Sequence, residues 1–301
     1  MPEIAPFQAL RYDRSHLSSM ADVIAPAWAF LNDSTREKLY KRHPANIIRI
    51  AWNREEPGDE TNESYQRSAY FVQSWREQGV LKADSAPGVY LIEQRHQGDA
   101  SCNAQIGLLA SIKLDDIIRQ PITNVGPRND LAAAESARQH FQKLVEATGL
   151  NVFPLVTVVD DEQERGWQVL KSQRAKPAMV DFQSENNLRL TVWKIDDPTV
   201  IQEVNQNWKT RLCHLLGGDS ILDAMLFYRR HRQGTEGTLE EDDPAHRVLT
   251  VVCPSSADAP KVAKNKASDV TDDGAVLAIK ERMLLDWPTG LLMRCVRRST
   301  G

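Results

Sequence analysis

Apolar and polar positions along this chain switch between a helical period and a strand period, and the switches mark out its elements. In "NDSTREKLYKRH" (32–43), Ser34 is followed three residues later by Glu37, a capping-box spacing that predicts a helix. "EEPGDETNES" (55–64) is polar around a Pro-Gly pair and reads as a loop. Beyond it Tyr65, Ala69, Val72 and Trp75 keep helical spacing up to a stop at Gly79. "GVYLIEQ" (88–94) and "QIGLLASIKL" (105–114) read as strands, and the turn-rich "RHQGDASCN" between them predicts a hairpin. Leu131, Phe141, Leu144 and Val145 lie on one side of a helix expected over 130–148, with Gly149 after it.

The second half continues the mixture. "NVFPLVTVV" (151–159) barely alternates and predicts a strand buried on both faces. "EQERGWQVLKSQRAKP" (162–177) fits neither period cleanly. "LRLTVWKI" (188–195) alternates as a strand, and Asp197 can cap a helix whose first residue is Pro198. "LCHLL" (212–216) reads as a short strand leading into a helix that runs to Arg232. "RQGTEGTLEEDD" (232–243) reads as a flexible acidic loop, and "RVLTVVC" (247–253) as another strand. The pattern predicts an α+β protein with a mixed sheet and packed helices. It divides into an N-terminal α+β region (1–118), a central region (119–253), a linker or disordered stretch poor in large apolar residues (254–274), and a closing helix near 275–285 with a strand in 289–297.

Composition narrows the function. Over 301 residues, 37 basic and 41 acidic side chains leave a net charge of −4. No overall field therefore recruits nucleic acid or an anionic membrane. Runs such as "VFPLVTVV" are too short to span a bilayer, and the N-terminus lacks a signal-peptide pattern. Four scattered cysteines without a CxxC pair read as buried, reduced thiols, and the expected location is cytoplasmic.

The stretch "LLGGDSILDAMLFYRRHR" (215–232) carries the most chemistry. An apolar run meets Gly217 and Gly218 and opens an amphipathic helix, the outline of a turn whose backbone N–H groups can cradle a phosphate. The next side chain, however, is the anion Asp219. At a helix start Asp219 gains about 0.3–1 kcal/mol from the macrodipole, and capping by Asp219 or Ser220 adds about 1 kcal/mol. A phosphate charge about 4 Å away would be repelled by roughly 4 kcal/mol. The balance favours a capped helix packed by Leu222, Met225 and Leu226. A divalent cation held by Asp219 would reverse it. GxxxxGK[ST] and nucleophile-elbow patterns are absent.

Several segments together resemble an uncharacterised bacterial family, domain of unknown function 1015. "IAPFQALRY" (4–12) resembles its I-x-P-F-x-A-x-R-Y opening, "DVIAPAW" (22–28) its D-V-x-A-P-P-Y-D, and "HPANIIRI" (43–50) its N-P-x-N-x-x-R-L. "WKIDDPTVIQEV" (193–204) and "ERMLLDWPTGLLMR" (281–294) resemble later motifs in the same order. The family's strand, D-G-H-H-R turn and helix are similar to ParB-like and sulfiredoxin-like elements, placed here within 190–253. The resemblance implies a phosphoryl-transfer or nucleotide-hydrolysis ancestry, with ADP or ATP and magnesium as the cofactors to expect.

The departures concern the reactive groups. The D-G-H-H-R positions read Gly217, Gly218, Asp219, Ser220, Ile221, so both histidines and the arginine are missing. The family's P-H-E-x-T reads "RQPIT" (119–123), keeping Thr123 alone of its polar residues. "GPRND" (126–130) keeps a basic and an acidic residue, Arg128 and Asp130. Pro-Tyr-Asp becomes Ala27, Trp28, Ala29. Asn46 and Arg49 stand at retained positions and could contact an anion or tie down a loop. Thr123, Arg128 and Asp130 form a polar group before a helix, with helix capping by Asp130 the simpler role.

"RRHR" (229–232) suits a helix C-terminus, "EEDD" (240–243) a solvated loop, and His214 beside Cys213 a satisfied core histidine. These readings lead to a catalytically degenerate member acting as a binding or scaffold protein that keeps a remnant nucleotide or phosphate pocket, its partner an unknown protein or a small molecule. The alternative is a magnesium-dependent phosphotransferase or nucleotide hydrolase built on Asp219, Arg49 and Arg128. A ParB-like DNA adaptor fits poorly with the negative charge.

Overall fold

The alternation in 88–114 becomes a hairpin in the computed structural model of the chain, which describes residues 2–96, 104–119, 131–161, 163–184, 188–254 and 287–297. Strands β3 (Val89–His96) and β4 (Gln105–Lys113) pair antiparallel with Tyr90 opposite Leu109. The other strands are β1 (Ala9–Tyr12), β2 (Leu81–Ala83), β5 (Ile117–Ile118), β6 (Leu150–Asn151), β7 (Leu155–Val159), β8 (Val180–Gln183), β9 (Leu188–Ile195), β10 (Cys213–Gly217), β11 (Arg247–Cys253) and β12 (Met293–Cys295). Helices are α1 (Asp33–Arg42), α2 (Ile48–Ala51), α3 (Glu63–Glu77), α4 (Leu131–Thr148), α5 (Arg165–Ser172), α6 (Pro198–Trp208) and α7 (Asp219–Glu236). Among the described residues no helix is long and apolar enough to cross a membrane.

The larger sheet has the order β5-β10-β7-β11-β4-β3-β9-β8. It is mixed: β10 runs parallel to β5 and β11 parallel to β7, while the other neighbours are antiparallel. The fold is therefore α+β, as the pattern predicts. β7 and β11 lie inside this sheet, which is why both read as nearly continuous apolar runs. The smaller sheet, β2-β1-β12-β6, draws its strands from both ends of the chain and from its middle.

Pro154 divides "NVFPLVTVV" between the two sheets, leaving β6 in one and β7 in the other. Buried Asn151 holds the corner, donating to the Phe153 carbonyl at 2.7 Å and accepting the Leu249 N–H at 2.7 Å.

The stretch that fits neither period is helical because Asp161 starts it. This buried carboxylate accepts the N–H groups of Arg165 and Gly166 at the head of α5 and the Trp208 indole N–H from α6. Trp167 and Trp208 then pack in the core with ring centres 5.7 Å apart. Two boundaries differ from expectation. Asn32, not Ser34, caps α1, its Oδ1 accepting the Thr35 N–H at 2.9 Å. α7 continues to Glu236, so the first part of 232–243 is helical, and buried Asp243 caps the turn before β11. The stretch 255–286, including the expected linker and most of the closing helix, lies outside the described residues.

Candidate functional site

The glycine turn is built by an irregular strand end. β10 pairs with β7 at Leu215↔Thr157 and then at Gly217↔Val156, so Leu216 is an extra residue and the strand bends. Gly218 follows in the left-handed region, with φ 96°, and its carbonyl accepts the Leu222 N–H at 2.9 Å. A Cβ here would stand 2.9 Å from Leu155 Cδ2, so both the backbone and the space require glycine.

Neither expected cap is present. Gly218 is the N-cap of α7, no side chain caps the helix, and Asp219 is exposed. The Ser220 hydroxyl instead donates to the Ala134 carbonyl at 3.1 Å, tying the start of α7 to the first turns of α4.

A cavity of about 440 Å³ opens at this turn, lined by residues 217–221 together with α4 residues and four aromatic side chains: Trp28, Phe141, Phe153 and Trp287. Trp28 is the hub of the cluster. Its ring centre lies 4.8 Å from His140, 4.9 Å from Phe141 and 5.6 Å from Phe153. Trp287 packs where a Cβ on Gly107 would stand 2.7 Å from its ring. Its indole Nε1 is buried and has no hydrogen-bond partner among the described residues. The next residues close the wall: Thr289 exchanges backbone hydrogen bonds with Ala25 and donates its hydroxyl to the Pro26 carbonyl at 3.0 Å. Among the described lining residues, Asp219 is the one ionisable group.

The remaining candidates do not converge on this cavity. Asn46, fully buried, donates to the Asp22 and Ile24 carbonyls and accepts the Ile48 N–H, so it stitches "DVIAP" to the start of α2. Arg49 donates to the Tyr40 carbonyl at 3.0 Å and lies over the Tyr40 ring at 4.4 Å, while its Nε has no partner. Thr123, Arg128 and Asp130 lie outside the described residues.

"RRHR" carries committed charges. Arg229 grips Asp115 with bonds of 2.7 and 2.9 Å, which holds that carboxyl below the usual range. Arg232 pairs with Glu236 and with buried Asp243. His214 is half-buried, and among the described residues its Nδ1 has no partner. Cys213, Cys253 and Cys295 are free thiols, and burial pushes Cys213 up to about 11. Cys102 lies outside the described residues. Among the described residues no cluster of three or more His, Cys, Asp or Glu side chains is placed to hold a metal ion.

Sequence reasoning missed the aromatic walls. Trp28 could have been found, because it occupies the position where the resembled family carries Tyr. Trp287 and Phe153 come from distant segments that only the tertiary fold brings together. A family model described as "Protein of unknown function (DUF1015)" matches residues 4–264. Comparisons with curated proteins and with solved structures give no match.

Proposed function

The chain belongs to the DUF1015 family, and within it we propose a catalytically degenerate member that binds a small molecule in the cavity at Gly217–Ser220. One observation carries this reading: the described wall of the cavity is aromatic and aliphatic and holds no Lys, Arg or His, while Asp219 stands at the turn. A di- or triphosphate would enter without a cationic partner and against a carboxylate, which at about 4 Å is worth roughly 4 kcal/mol of repulsion near a surface.

A flat, mainly apolar ligand meets what is present. It can stack on Trp28 and place one acceptor atom on the uncapped N–H groups of α7 or on the orphaned Trp287 indole N–H. The ancestral frame of bulge, glycine turn and helix is retained, and the groups that would move a phosphoryl group are replaced by Asp219, Ser220 and Ile221.

Thermal unfolding with ADP or ATP, each with and without magnesium, tests this. We expect no magnesium-dependent stabilisation. A ligand at 100 times its dissociation constant would add about 2.7 kcal/mol, a shift easily seen. A magnesium-dependent shift abolished by Asp219→Ala would establish the metal-dependent enzyme reading instead. A small-molecule screen should return planar, weakly charged compounds whose binding is lost in Trp28→Ala.

A further inference from the structure

A second cavity, independent of the glycine turn, lies among the N-terminal helices. It measures about 270 Å³ and is lined by Arg36, Trp52, Asn53, Glu55, Ser64, Tyr65, Ser68 and His140. At roughly 30 Å³ per water molecule it has room for a ligand of a few heavy atoms. Most of its polar groups are already used. The Ser68 hydroxyl bonds the Ser64 and Arg49 carbonyls. His140 bonds the Ala51 carbonyl through Nε2 and the Tyr65 hydroxyl through Nδ1.

Two donors remain. Arg36 gives one Nη to Asp33 at 2.8 Å and lies over the Trp52 ring at 4.5 Å, which leaves its buried Nε–H without an acceptor. Asn53 accepts the Tyr40 hydroxyl through Oδ1, and the Arg54 N–H donates to the same hydroxyl. With the amide so placed, its buried Nδ2 has no partner among the described residues. α3 begins beside them with Ser64 in its first turn and no side-chain cap at Asn62, so its positive end adds to the same field.

We propose that this cavity is a binding site for a small monocarboxylate, its two oxygens accepting from Arg36 Nε and Asn53 Nδ2. A planar carboxylate matches a guanidinium edge beside an amide. Exposed Glu55 at the lining sets the limit on charge: it repels a dianion such as phosphate more than a monoanion.

The test is a titration of the intact protein with acetate, with its neutral isostere acetamide and with inorganic phosphate, followed through the Arg36 Nε–H resonance. Acetate should shift that resonance saturably, with acetamide and phosphate at least tenfold weaker. Arg36→Lys, which keeps the charge and loses the Nε donor, should weaken acetate at least tenfold, read in that variant through the Asn53 side-chain amide resonances. Asn53→Asp should abolish binding, and Glu55→Gln should bring phosphate closer to acetate. Equal response to acetate and acetamide would reduce the cavity to a polar pocket and overturn the proposal. Phosphate binding tighter than acetate, or acetate binding unchanged in Arg36→Lys, would do so equally. Folding of each variant is checked by the unchanged Trp28–His140 ring shifts, so loss of binding is separable from loss of structure.

Discussion

Trp28 lies stacked on His140, ring centres 4.8 Å apart and planes 17° from parallel, and the pair forms the wall between the aromatic cavity and the polar one. The imidazole of His140 is held neutral by its burial. Burial pulls its pKa down from 6.5 to about 4, only partly opposed by the hydrogen bond to the Ala51 carbonyl. Between those values an unfolded chain takes up a proton that the folded one refuses. The contribution of His140 is complete above pH 6.5 and is lost as pH falls towards 4, by up to about 1.4 kcal/mol per pH unit. Urea midpoints measured between pH 7 and pH 4.5 should therefore fall more steeply in the native protein than in His140→Gln. Parallel slopes would mean that the ring is protonated in the fold.

Asn46 is a candidate binding residue whose partners are all backbone, and its removal should be felt in stability. Asn46→Ala leaves two carbonyls and one N–H unpaired at a site with no exposure, a loss of about 2–4 kcal/mol. Asn46→Asp should also destabilise, since a carboxylate cannot donate to the Asp22 and Ile24 carbonyls. Chemical denaturation decides the matter: wild-type stability in either variant would free Asn46 for a role in binding.

The elements that depend on local pattern were legible in the sequence. The hairpin of β3 and β4, the Asp197-capped α6 and the α4 ended by Gly149 all follow from spacing and punctuation. The α5 segment was not, because Asp161 at its start and Gly166 within it both meet the Trp208 indole, which lies far away in sequence. The glycine turn was legible as a turn, with Asp219 as the one charge beside it. The cavity beside it was not, since its walls come from five separate segments. Likewise "RRHR" shows its charge in the sequence, but Asp115 and Asp243, which neutralise it, lie elsewhere.

Those two arginines should differ sharply although they are three positions apart. Asp243 is buried, so Arg232→Met strands a carboxylate and should destabilise by about 3–5 kcal/mol. Asp115 is 71% exposed, and Arg229→Ala should remove less than about 1 kcal/mol. With Arg229 and Arg232 paired and only Arg230 left over of the three arginines, this helix end should show no steeply salt-dependent retention of DNA. Comparable losses in the two variants would contradict the burial of Asp243.

The last expectation uses two glycines of one helix. Gly218→Ala forces a side chain into φ 96° and against Leu155, and should cost about 1–3 kcal/mol while distorting the cavity mouth. Gly234→Ala, in the final turns of α7, meets nothing within 4 Å and should stabilise by about 0.4–1 kcal/mol. Both are read from the same denaturation curves. If the ligand of the aromatic cavity rests on the head of α7, Gly218→Ala should weaken its binding and Gly234→Ala should leave it unchanged. Equal binding in the two variants would move the ligand away from the turn.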